Sequence, residues 1–243
     1  MIDIRLNPHA KIRRETISED QHCVIVDDFL QDPHELVEFA DDHASEFSKP
    51  GSGYPGLQFS VNSGAMTNIN GFIRSEMKNH FPFFRGGINF WALLSMVTLL
   101  PDELSNLQRI CHTDPIPGPD RKIYAALVYL FEDEALGGTG FYRWRESASE
   151  LRHQAAAIDR EDPDKAKAFL QEHFPTYRKP ARYMTESNEI AVLLCTIPAR
   201  FNRLIFYSGE VPHSGAITAP ELLSSDTRKG RLTLNGFASV LPK

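Results

Sequence analysis

Cysteine is scarce in this sequence, which excludes small domains that are stabilised by disulfides or by zinc–thiolate sites. Only three cysteines occur among 243 residues, and no two of them form a CxxC pair. Such a set provides neither a disulfide framework nor a zinc site of the finger type. We therefore expect reduced, buried cysteines in a cytoplasmic protein. The three are Cys23, Cys111 and Cys195.

A strong charge of one sign and a long apolar run are also lacking. The net charge is −6, with acidic and basic residues scattered along the chain. A general nucleic-acid binder needs a basic stripe, so no nucleic acid is expected as a partner. The longest apolar run, residues 90–100, is too short to span a bilayer, and no membrane partner is expected. Residues 1–14 carry charges throughout and lack the apolar core of a secretory signal.

The first part of the chain mixes strand and helix patterns. Residues 23–30 alternate and are rich in β-branched side chains, which predicts a short strand. Asp32 is placed as an N-cap and Pro33 at the first helical position, so a helix is expected to about residue 46. A second helix is predicted over residues 67–80, and the segment 48–56, rich in Gly, Pro and Ser, is expected to be an irregular loop.

The sequence pattern changes near residue 90, where short apolar runs separated by turn residues begin. Such runs predict an antiparallel sandwich or barrel. Residues 146–180 are charged, rich in alanine and helical in pattern, and are interpreted as an insertion. We expect an α+β fold in one domain over 1–243, with N-terminal α/β support over about 1–88 and a barrel core over about 89–243. The predicted strands are 90–99, 107–111, 123–131, 140–144, 190–196, 203–207 and 231–239; the predicted insertion helices are 149–160 and 163–173.

Three polar residues have the pattern of a metal site. His112 and Asp114 stand two apart at the end of a presumed strand, where residues i and i+2 point to the same side. His213 follows another predicted strand and provides a second imidazole. Two neutral imidazoles and one carboxylate cap one face of an octahedral iron(II) and leave three positions open. Those positions would take a bidentate keto acid and O2.

A basic residue on the next predicted strand extends this pattern. The guanidinium of Arg231 can pair with a carboxylate through two hydrogen bonds, as the far end of 2-oxoglutarate requires. Arg228 is an alternative candidate for this carboxylate contact, but it falls in a polar loop, where the direction of its side chain is less fixed. Each signal has a simpler explanation by itself: a chance HxD tripeptide, a hydrogen-bonding loop histidine at 213, or a surface arginine at 231. The order of the four residues along the chain favours the metal site.

With these residues, the chain resembles the prolyl-4-hydroxylase-like branch of the iron(II)/2-oxoglutarate-dependent dioxygenases. That branch carries HxD, a distal histidine, and then arginine or lysine on the following strand. The similarity covers most of the chain. The further features that resemble this branch are Arg121, the strand that ends in Tyr129 and Leu130, the pair Gly137 and Gly138, and the N-terminal segment 24–30.

The resemblance implies a double-stranded β-helix, that is, a jelly-roll or cupin-like barrel. It also implies a hydroxylase that couples the decarboxylation of 2-oxoglutarate to substrate oxidation, with Fe(II) and O2. His112, Asp114 and His213 would hold the metal and Arg231 would bind the cosubstrate. Tyr129 would hydrogen-bond its carboxylate, with help from Asn235.

Two alternatives stay open at this point. A cupin-like enzyme could use the same ligands with zinc or another divalent ion and would not need Arg231. A non-catalytic binding protein could keep the same fold. The substrate, whether a protein side chain, an amino acid or a small molecule, is not indicated. The segment 48–56 and the insertion are both candidates for a lid over the site.

Overall fold

The chain forms an α+β fold in which two antiparallel sheets are accompanied by helices. The computed structural model describes residues 2–51, 53–81, 88–116, 118 and 120–241. Within those ranges there are ten strands and four α-helices. The strands are β1 (Lys11–Ser18), β2 (Gln21–Asp27), β3 (Gly56–Ser60), β4 (Ile88–Val97), β5 (Lys122–Tyr129), β6 (Gly138–Trp144), β7 (Ala191–Ile197), β8 (Leu204–Ser208), β9 (His213–Ala216) and β10 (Arg231–Val240). The helices are α1 (Pro33–Asp42), α2 (Thr67–Glu76), α3 (Ser149–Glu161) and α4 (Pro163–His173).

The strands divide into a major and a minor sheet. The major sheet has the order β1-β2-β8-β5-β10-β4-β3, and the minor sheet has the order β7-β6-β9. From β5 to β10 the chain crosses between the sheets, so β8 and β10 belong to the major sheet and β9 to the minor one. This is the jelly-roll, or double-stranded β-helix, that the resemblance implied, and the predicted fold class is confirmed.

Strict alternation along the strands produces two buried layers. Leu232 and Leu234 of β10 face α1 and α2 in one apolar cluster. The other face of the major sheet packs against the minor sheet through residues such as Tyr129, Phe141 and Ile205. Because alternate residues of a strand point to opposite faces, Arg231, Thr233 and Asn235 lie on the face directed between the sheets.

Six of the predicted strands after residue 90 match observed ones within a few residues, but the predicted strand over 107–111 is wrong. Residues Leu107–Arg109 form a 3-10 turn instead. The backbone N–H of Gln108 donates to the Ser105 carbonyl at 3.2 Å, while the Gln108 side chain accepts from the Ser105 N–H at 2.8 Å. These two bonds close a turn at residues that an apolar pattern alone places in a strand.

The predicted helix starts are confirmed in position, although one cap differs from expectation. Asp32 precedes α1 and Pro33 begins it, but the Asp32 side chain makes no capping hydrogen bond. At α4 the Asp162 carboxylate does cap the helix and accepts from the Lys165 N–H at 3.0 Å. No helix in the described ranges is both long and apolar enough to cross a membrane.

The insertion covers the outer face of the minor sheet. Its helices α3 and α4 bury Ala155 and Leu170 against Tyr142 of β6 and Ala191 of β7. The same apolar cluster contains Cys111, the residue directly before His112. The insertion therefore packs behind the segment that carries the HxD motif.

Candidate metal centre

The HxD segment runs beside β9 although it is not itself a regular strand. The His112 N–H donates to the His213 carbonyl at 2.9 Å, and the His213 N–H donates to the His112 carbonyl at 2.8 Å. Two residues later, the Asp114 N–H donates to the Gly209 carbonyl at 2.8 Å. Backbone pairing thus places two residues from one segment next to a histidine about a hundred positions away.

The three predicted ligands converge on one point. One nitrogen or oxygen from each of His112, Asp114 and His213 lies within 4.8 Å of the others. The imidazole centroids are 4.5 Å apart, and His213 Nε2 lies 3.8 Å from Asp114 Oδ1. Asp114 Oδ2 is buried and has no hydrogen-bond partner among the described residues. A buried carboxylate oxygen without a partner is costly, and a cation at this point would satisfy it.

The neighbours of His213 select the ring nitrogen that faces the other ligands. His213 Nδ1 lies 2.8 Å from the Val211 carbonyl oxygen, which can only accept a hydrogen bond. Nδ1 therefore carries the proton, and Nε2 presents its lone pair towards Asp114. Metal-binding histidines are commonly oriented in this way by a carbonyl on the second nitrogen.

The charge states also suit metal binding at neutral pH. Burial lowers the pKa of His213 to about 4, so its ring is neutral. Although His112 keeps some exposed surface, desolvation and the neighbouring His213 lower its pKa as well. Burial raises the pKa of Asp114 to about 6, opposed by His112. Two neutral imidazoles and a carboxylate are the forms that coordinate a divalent metal.

Gly209 is required for the position of Asp114. A Cβ atom at residue 209 would lie 2.5 Å from Asp114 Oδ2 and 2.9 Å from Asp114 Cβ. These distances are shorter than van der Waals contact, so any side chain at 209 would displace the carboxylate. The sequence pattern did not identify this glycine, because its role depends on a neighbour far away in the chain.

Arg231 provides a buried positive charge close to these ligands. Its Nε donates to the carbonyls of Leu136 and Gly137 at 3.0 and 3.2 Å, and its Nη2 donates to Gly138 at 2.9 Å. Its Cζ lies 5.5 Å from the centre of the Phe131 ring. The side chain is 3% exposed, and no ion pair within the described part of the chain includes it. Buried charges are normally paired, so this guanidinium suits an anionic ligand.

A glycine leaves space between the metal ligands and Arg231. Gly215 lies two residues after His213 and on the same face of β9. A Cβ atom at residue 215 would lie 3.9 Å from Arg231 Cζ. Because residue 215 has no side chain, nothing from β9 separates His213 from the guanidinium.

Tyr129 was predicted as a cosubstrate contact and lies in the same region. It is fully buried, and its Oη is 2.8 Å from Thr139 Oγ1. Thr139 pairs with Gly215 across the minor sheet. Burial raises the pKa of Tyr129 to about 12, so the phenol remains a neutral hydrogen-bond donor. Thr139 was missed by the sequence interpretation, and its position opposite Gly215 depends on strand register.

Tyr207 is a second residue that the sequence interpretation missed. Its ring meets His213 edge-on at 4.9 Å and Phe141 edge-on at 4.8 Å. Burial raises its pKa, and Asp114 adds to this effect. Its alternation with Ile205 along β8 is a signal that could have placed it between the sheets. Tyr207 thus forms an apolar wall beside the metal ligands.

Asn235, the remaining predicted site residue, lies on the same face of β10 as Arg231 but four residues further along. Its side chain is half-buried, and its Oδ1 has no hydrogen-bond partner among the described residues. The structure therefore brings His112, Asp114 and His213 together, with Arg231 and Tyr129 beside them.

The fold and the site define a jelly-roll protein with a candidate metal centre between its sheets. The chain belongs to the family DUF6445, described as a family of unknown function, whose model matches residues 8–238. No curated protein matches the chain significantly.

Solved structures resemble the chain at low sequence identity. The non-haem α-ketoglutarate-dependent epimerase SnoN from nogalamycin biosynthesis is 12% identical, over 91% of this chain and 80% of that one, with a TM-score of 0.43. The Kdo hydroxylase KdoO is 13% identical, over 85% and 75%, with a TM-score of 0.41. HygX from Streptomyces hygroscopicus, with nickel and 2-oxoglutarate bound, is 14% identical, over 90% and 82%, with a TM-score of 0.40. Likenesses of this degree do not assign an activity to this chain.

Proposed function

We propose that the protein is an iron(II)- and 2-oxoglutarate-dependent oxygenase that hydroxylates its substrate, and that it is related to the prolyl-4-hydroxylase-like branch. One observation carries the proposal. His112, Asp114 and His213 converge on one point, and Gly215 leaves open the space between His213 and the buried guanidinium of Arg231. That guanidinium has no carboxylate partner among the described residues. The triad fits a ferrous ion, and the guanidinium fits the far carboxylate of a keto acid.

Each residue of the site has a definable role in this reaction. His112, Asp114 and His213 would hold the iron and leave the remaining positions to ligands. The bound iron supplies the redox chemistry that couples O2 reduction to the decarboxylation of 2-oxoglutarate into succinate and CO2. The Val211 carbonyl keeps the His213 proton on Nδ1, and Gly209 leaves room for the Asp114 carboxylate.

The cosubstrate would be oriented by Arg231 and Tyr129. Arg231 Nη1 makes no hydrogen bond to the described residues, so it remains available to a carboxylate. The protonated phenol of Tyr129 is a second donor in the same region. The rings of Tyr207 and Phe141 exclude water from one side of the ligands. A dry, fixed environment holds the reacting groups in one orientation.

Arg231 and Arg228 offer a matched pair for the decisive experiment. Arg228 forms an exposed ion pair with Asp41 at 2.8 Å, whereas Arg231 is buried. Succinate release and O2 consumption would be measured with protein purified anaerobically and supplied with Fe(II). We expect Arg231→Leu to lower kcat/KM for 2-oxoglutarate by about 30-fold or more, because a buried charge partner is lost. Arg228→Leu should stay within about twofold of the wild type.

Two results would overturn the proposal. Turnover that requires another divalent ion and is independent of 2-oxoglutarate and Arg231 would indicate a cupin-like metal enzyme. Protein that binds no metal after anaerobic supply of iron would indicate a non-catalytic binding protein. Circular dichroism of Arg231→Leu and of the milder Arg231→Lys would show that lost activity does not reflect unfolding.

A further inference from the structure

The major sheet is wider than the minor sheet, and part of its inner face reaches solvent. In the described ranges the major sheet has seven strands and the minor sheet three. Phe237 alternates along β10 with Arg231, so both point between the sheets, and the register aligns Leu93, Leu127 and Trp91 with them. Trp91 is 39% exposed, and the other three apolar side chains are half-buried. Apolar side chains that reach solvent together on one face mark a candidate binding surface.

One row of residues crosses this surface and ends at the metal ligands. Trp91 pairs with Phe237, Phe237 with Ala125, and Ala125 with Tyr207. The centre of the Tyr207 ring lies 4.9 Å from that of His213. We call Trp91, Phe237, Ala125 and Tyr207 the inner row. Because neighbouring strands are about 4.8 Å apart, Phe237 lies about 10 Å from Tyr207, a distance that a small molecule can span.

The inner row provides a flat apolar surface with space beside it. The rings of Trp91 and Phe237 stack with centroids 5.6 Å apart and planes inclined by 24°. Ala125, the next residue in the row, carries a methyl group alone and leaves room between Phe237 and Tyr207. An exposed indole face suits stacking with another planar ring. The surface therefore favours a ligand with a planar apolar ring.

The HxD segment adjoins this surface. The Asp114 N–H donates to the Gly209 carbonyl, and the Gly209 N–H donates to the Ile123 carbonyl at 2.9 Å. Ile123 lies two residues before Ala125 on β5. His112 keeps exposed surface, so the metal centre is open to a ligand on that side. The metal centre and the inner row are therefore adjacent, and both reach solvent.

A cation lies at the end of this surface, beyond the stacked rings. Arg121 directly precedes β5, and its Nη1 donates to the Ser239 hydroxyl at 3.1 Å. Ser239 is buried and follows Phe237 by two residues on the same face of β10. The guanidinium therefore lies about 7 Å along β10 from the ring pair. The neighbouring Lys122 pairs with Glu210 at 2.7 Å, whereas no ion pair among the described residues includes Arg121.

The charges around Arg121 favour an anionic partner. The strands β4, β5 and β10, which form this part of the surface, contain no aspartate or glutamate. Asp120 is the nearest acidic residue along the chain, and its side chain is exposed. A guanidinium fork binds a carboxylate or a phosphate through two hydrogen bonds. Arg121 therefore suits an anionic group on the same molecule that stacks on the rings.

We propose that the inner row and Arg121 form the substrate subsite, and that it binds a small molecule with a planar apolar ring stacked on Trp91 and an anionic group held by Arg121. This inference rests on the proposed oxygenase function, because it takes the triad as the metal site and Arg231 as the cosubstrate site. It narrows the substrate to an acid that carries a ring. It also assigns a binding role to Trp91, which no sequence motif indicated.

The two tryptophans of the chain make the subsite directly observable. Trp144 lies on β6, and the Arg152 Cζ is 4.2 Å from the centre of its ring. Trp144→Phe leaves Trp91 as the one indole, whereas Trp91→Phe leaves Trp144. The full chain would be loaded with Zn(II) and saturated with 2-oxoglutarate, which occupies Arg231 in an inert complex. We expect 3-phenylpropanoate to change the fluorescence of Trp144→Phe and to leave that of Trp91→Phe unchanged.

A matched set of probes separates the contribution of the ring from that of the charge. 3-Phenylpropanoate carries both, 3-phenylpropanamide and 3-phenylpropylamine replace the anion by a neutral group and a cation, and butanoate lacks the ring. Their Kd values would be measured by saturation-transfer NMR on the same complex. We expect 3-phenylpropanoate to bind at least about fivefold more tightly than each of the other three.

The variants attribute each preference to one residue. Arg121→Gln should abolish the preference for the acid over the amide, and Trp91→Ala should abolish the preference for the ring over butanoate. Trp91→Phe keeps a ring and should retain most of the latter. Arg228→Gln and Ile12→Ala are the controls, since Ile12 is 40% exposed and so matches Trp91. The Kd of 2-oxoglutarate should stay within about twofold in all of them.

Several outcomes would overturn the subsite. They are a failure of all four probes to bind, equal Kd values for the acid and the amide, and an equal fluorescence response of the two single-tryptophan variants. A preference for the acid that is lost in Arg231→Leu but kept in Arg121→Gln would place the anion in the cosubstrate site instead. If the wild type fails to bind 2-oxoglutarate yet binds 3-phenylpropanoate through Trp91 and Arg121, the oxygenase proposal fails while the subsite stands. Binding of 2-oxoglutarate without binding of the probes has the opposite meaning.

Discussion

At the scale of single residues, each metal ligand depends on a neighbour that is distant in the chain or provided by the backbone. Val211 fixes the proton of His213, Gly209 leaves room for Asp114, and the His213 backbone pairs with His112. These supports orient the ligand atoms before any metal binds. Preorganisation of this kind lowers the cost of ordering the ligands when an ion arrives.

The first prediction concerns the pH dependence of metal binding. Protons compete with the metal for the ligands, and burial places the pKa of Asp114 at about 6 and that of His213 at about 4. We expect the affinity for Co(II) to be independent of pH above neutrality. It should fall by about tenfold per unit below pH 6 as the Asp114 carboxyl takes up a proton, and more steeply near pH 4.

Competition titrations against a chelator of known affinity between pH 4 and pH 8 would measure this dependence. His153→Ala, a change at an exposed histidine on α3, is the control and should show the same pH dependence as the wild type. An affinity that keeps rising between pH 7 and pH 8 would contradict the lowered pKa of the histidines.

The second prediction concerns Gly215. A Cβ atom there meets its nearest neighbour, Ile217 Cδ1, at 3.5 Å, so Gly215→Ala should fold normally. The branched side chain of Gly215→Val would extend into the space between His213 and Arg231. We expect Gly215→Val to raise the KM for 2-oxoglutarate by about tenfold or more, since the loss of one carboxylate contact has that effect. Metal affinity should be unchanged in both variants, and equal KM values in the two would contradict the proposed path of the keto acid.

At the scale of elements, the helical insertion is a support for the HxD segment. Arg109 donates to the carbonyls of Thr176 and Lys179, each at 3.2 Å, and Tyr177 Oη donates to the Asn106 carbonyl at 2.7 Å. The Cys111 N–H contacts Met184 Sδ at 3.2 Å. These bonds join the region after β6 to the residues directly before His112. The sequence interpretation named the insertion as a candidate lid. From these contacts we expect it to position the HxD segment.

The third prediction tests this support. Tyr177→Phe removes the hydrogen bond to Asn106 and leaves the ring in place beneath Arg109, whose Cζ is 4.7 Å from the ring centre. We expect the free energy of unfolding to fall by about 1–2 kcal/mol, the cost of leaving one part-buried carbonyl without its hydrogen bond. Amide hydrogen exchange over residues 106–112 should become faster. Lys167→Ala, an exposed change on α4, is the control, and unaltered exchange in Tyr177→Phe would contradict the positioning role.

At the scale of the whole molecule, Arg231 connects the two sheets. It belongs to β10 of the major sheet and donates to the carbonyl of Leu136, just before β6, and to that of Gly138, the first residue of β6 in the minor sheet. A ligand that binds its guanidinium therefore bridges both halves of the jelly-roll. Any ligand that binds the folded state alone stabilises it by mass action.

The fourth prediction follows from this connection. In protein loaded with Zn(II), 2-oxoglutarate at about 100 times its Kd should add about 2.7 kcal/mol to the free energy of unfolding. For a chain of this length, the expected rise in Tm is about 5–10 °C. Arg231→Leu should show no rise, whereas Arg228→Leu should behave like the wild type. Differential scanning calorimetry would measure both, and an equal rise in the two variants would place the cosubstrate elsewhere.

Much of the architecture could be predicted from local patterns. The alternation of β-branched and apolar residues predicted most strands of both sheets within a few residues, and Pro33 marked the start of α1. The pattern failed at residues 107–111, where side-chain bonds at Ser105 and Gln108 close a turn. It also missed β1, β3 and β9, the last of which begins with His213. The charged residues of β1 suit an edge strand that pairs with β2 alone in the described sheet.

The sequence by itself determined the candidate ligands. The spacing of His112 and Asp114 directs both side chains to the same side of the chain, and Arg231 begins the last predicted strand. Tertiary structure alone decided that His213, among nine histidines, lies within 4.8 Å of that pair. It also decided the roles of Gly209 and Gly215. Those roles are distances between residues far apart in the chain, and such distances depend on strand register and sheet packing, which no local pattern encodes.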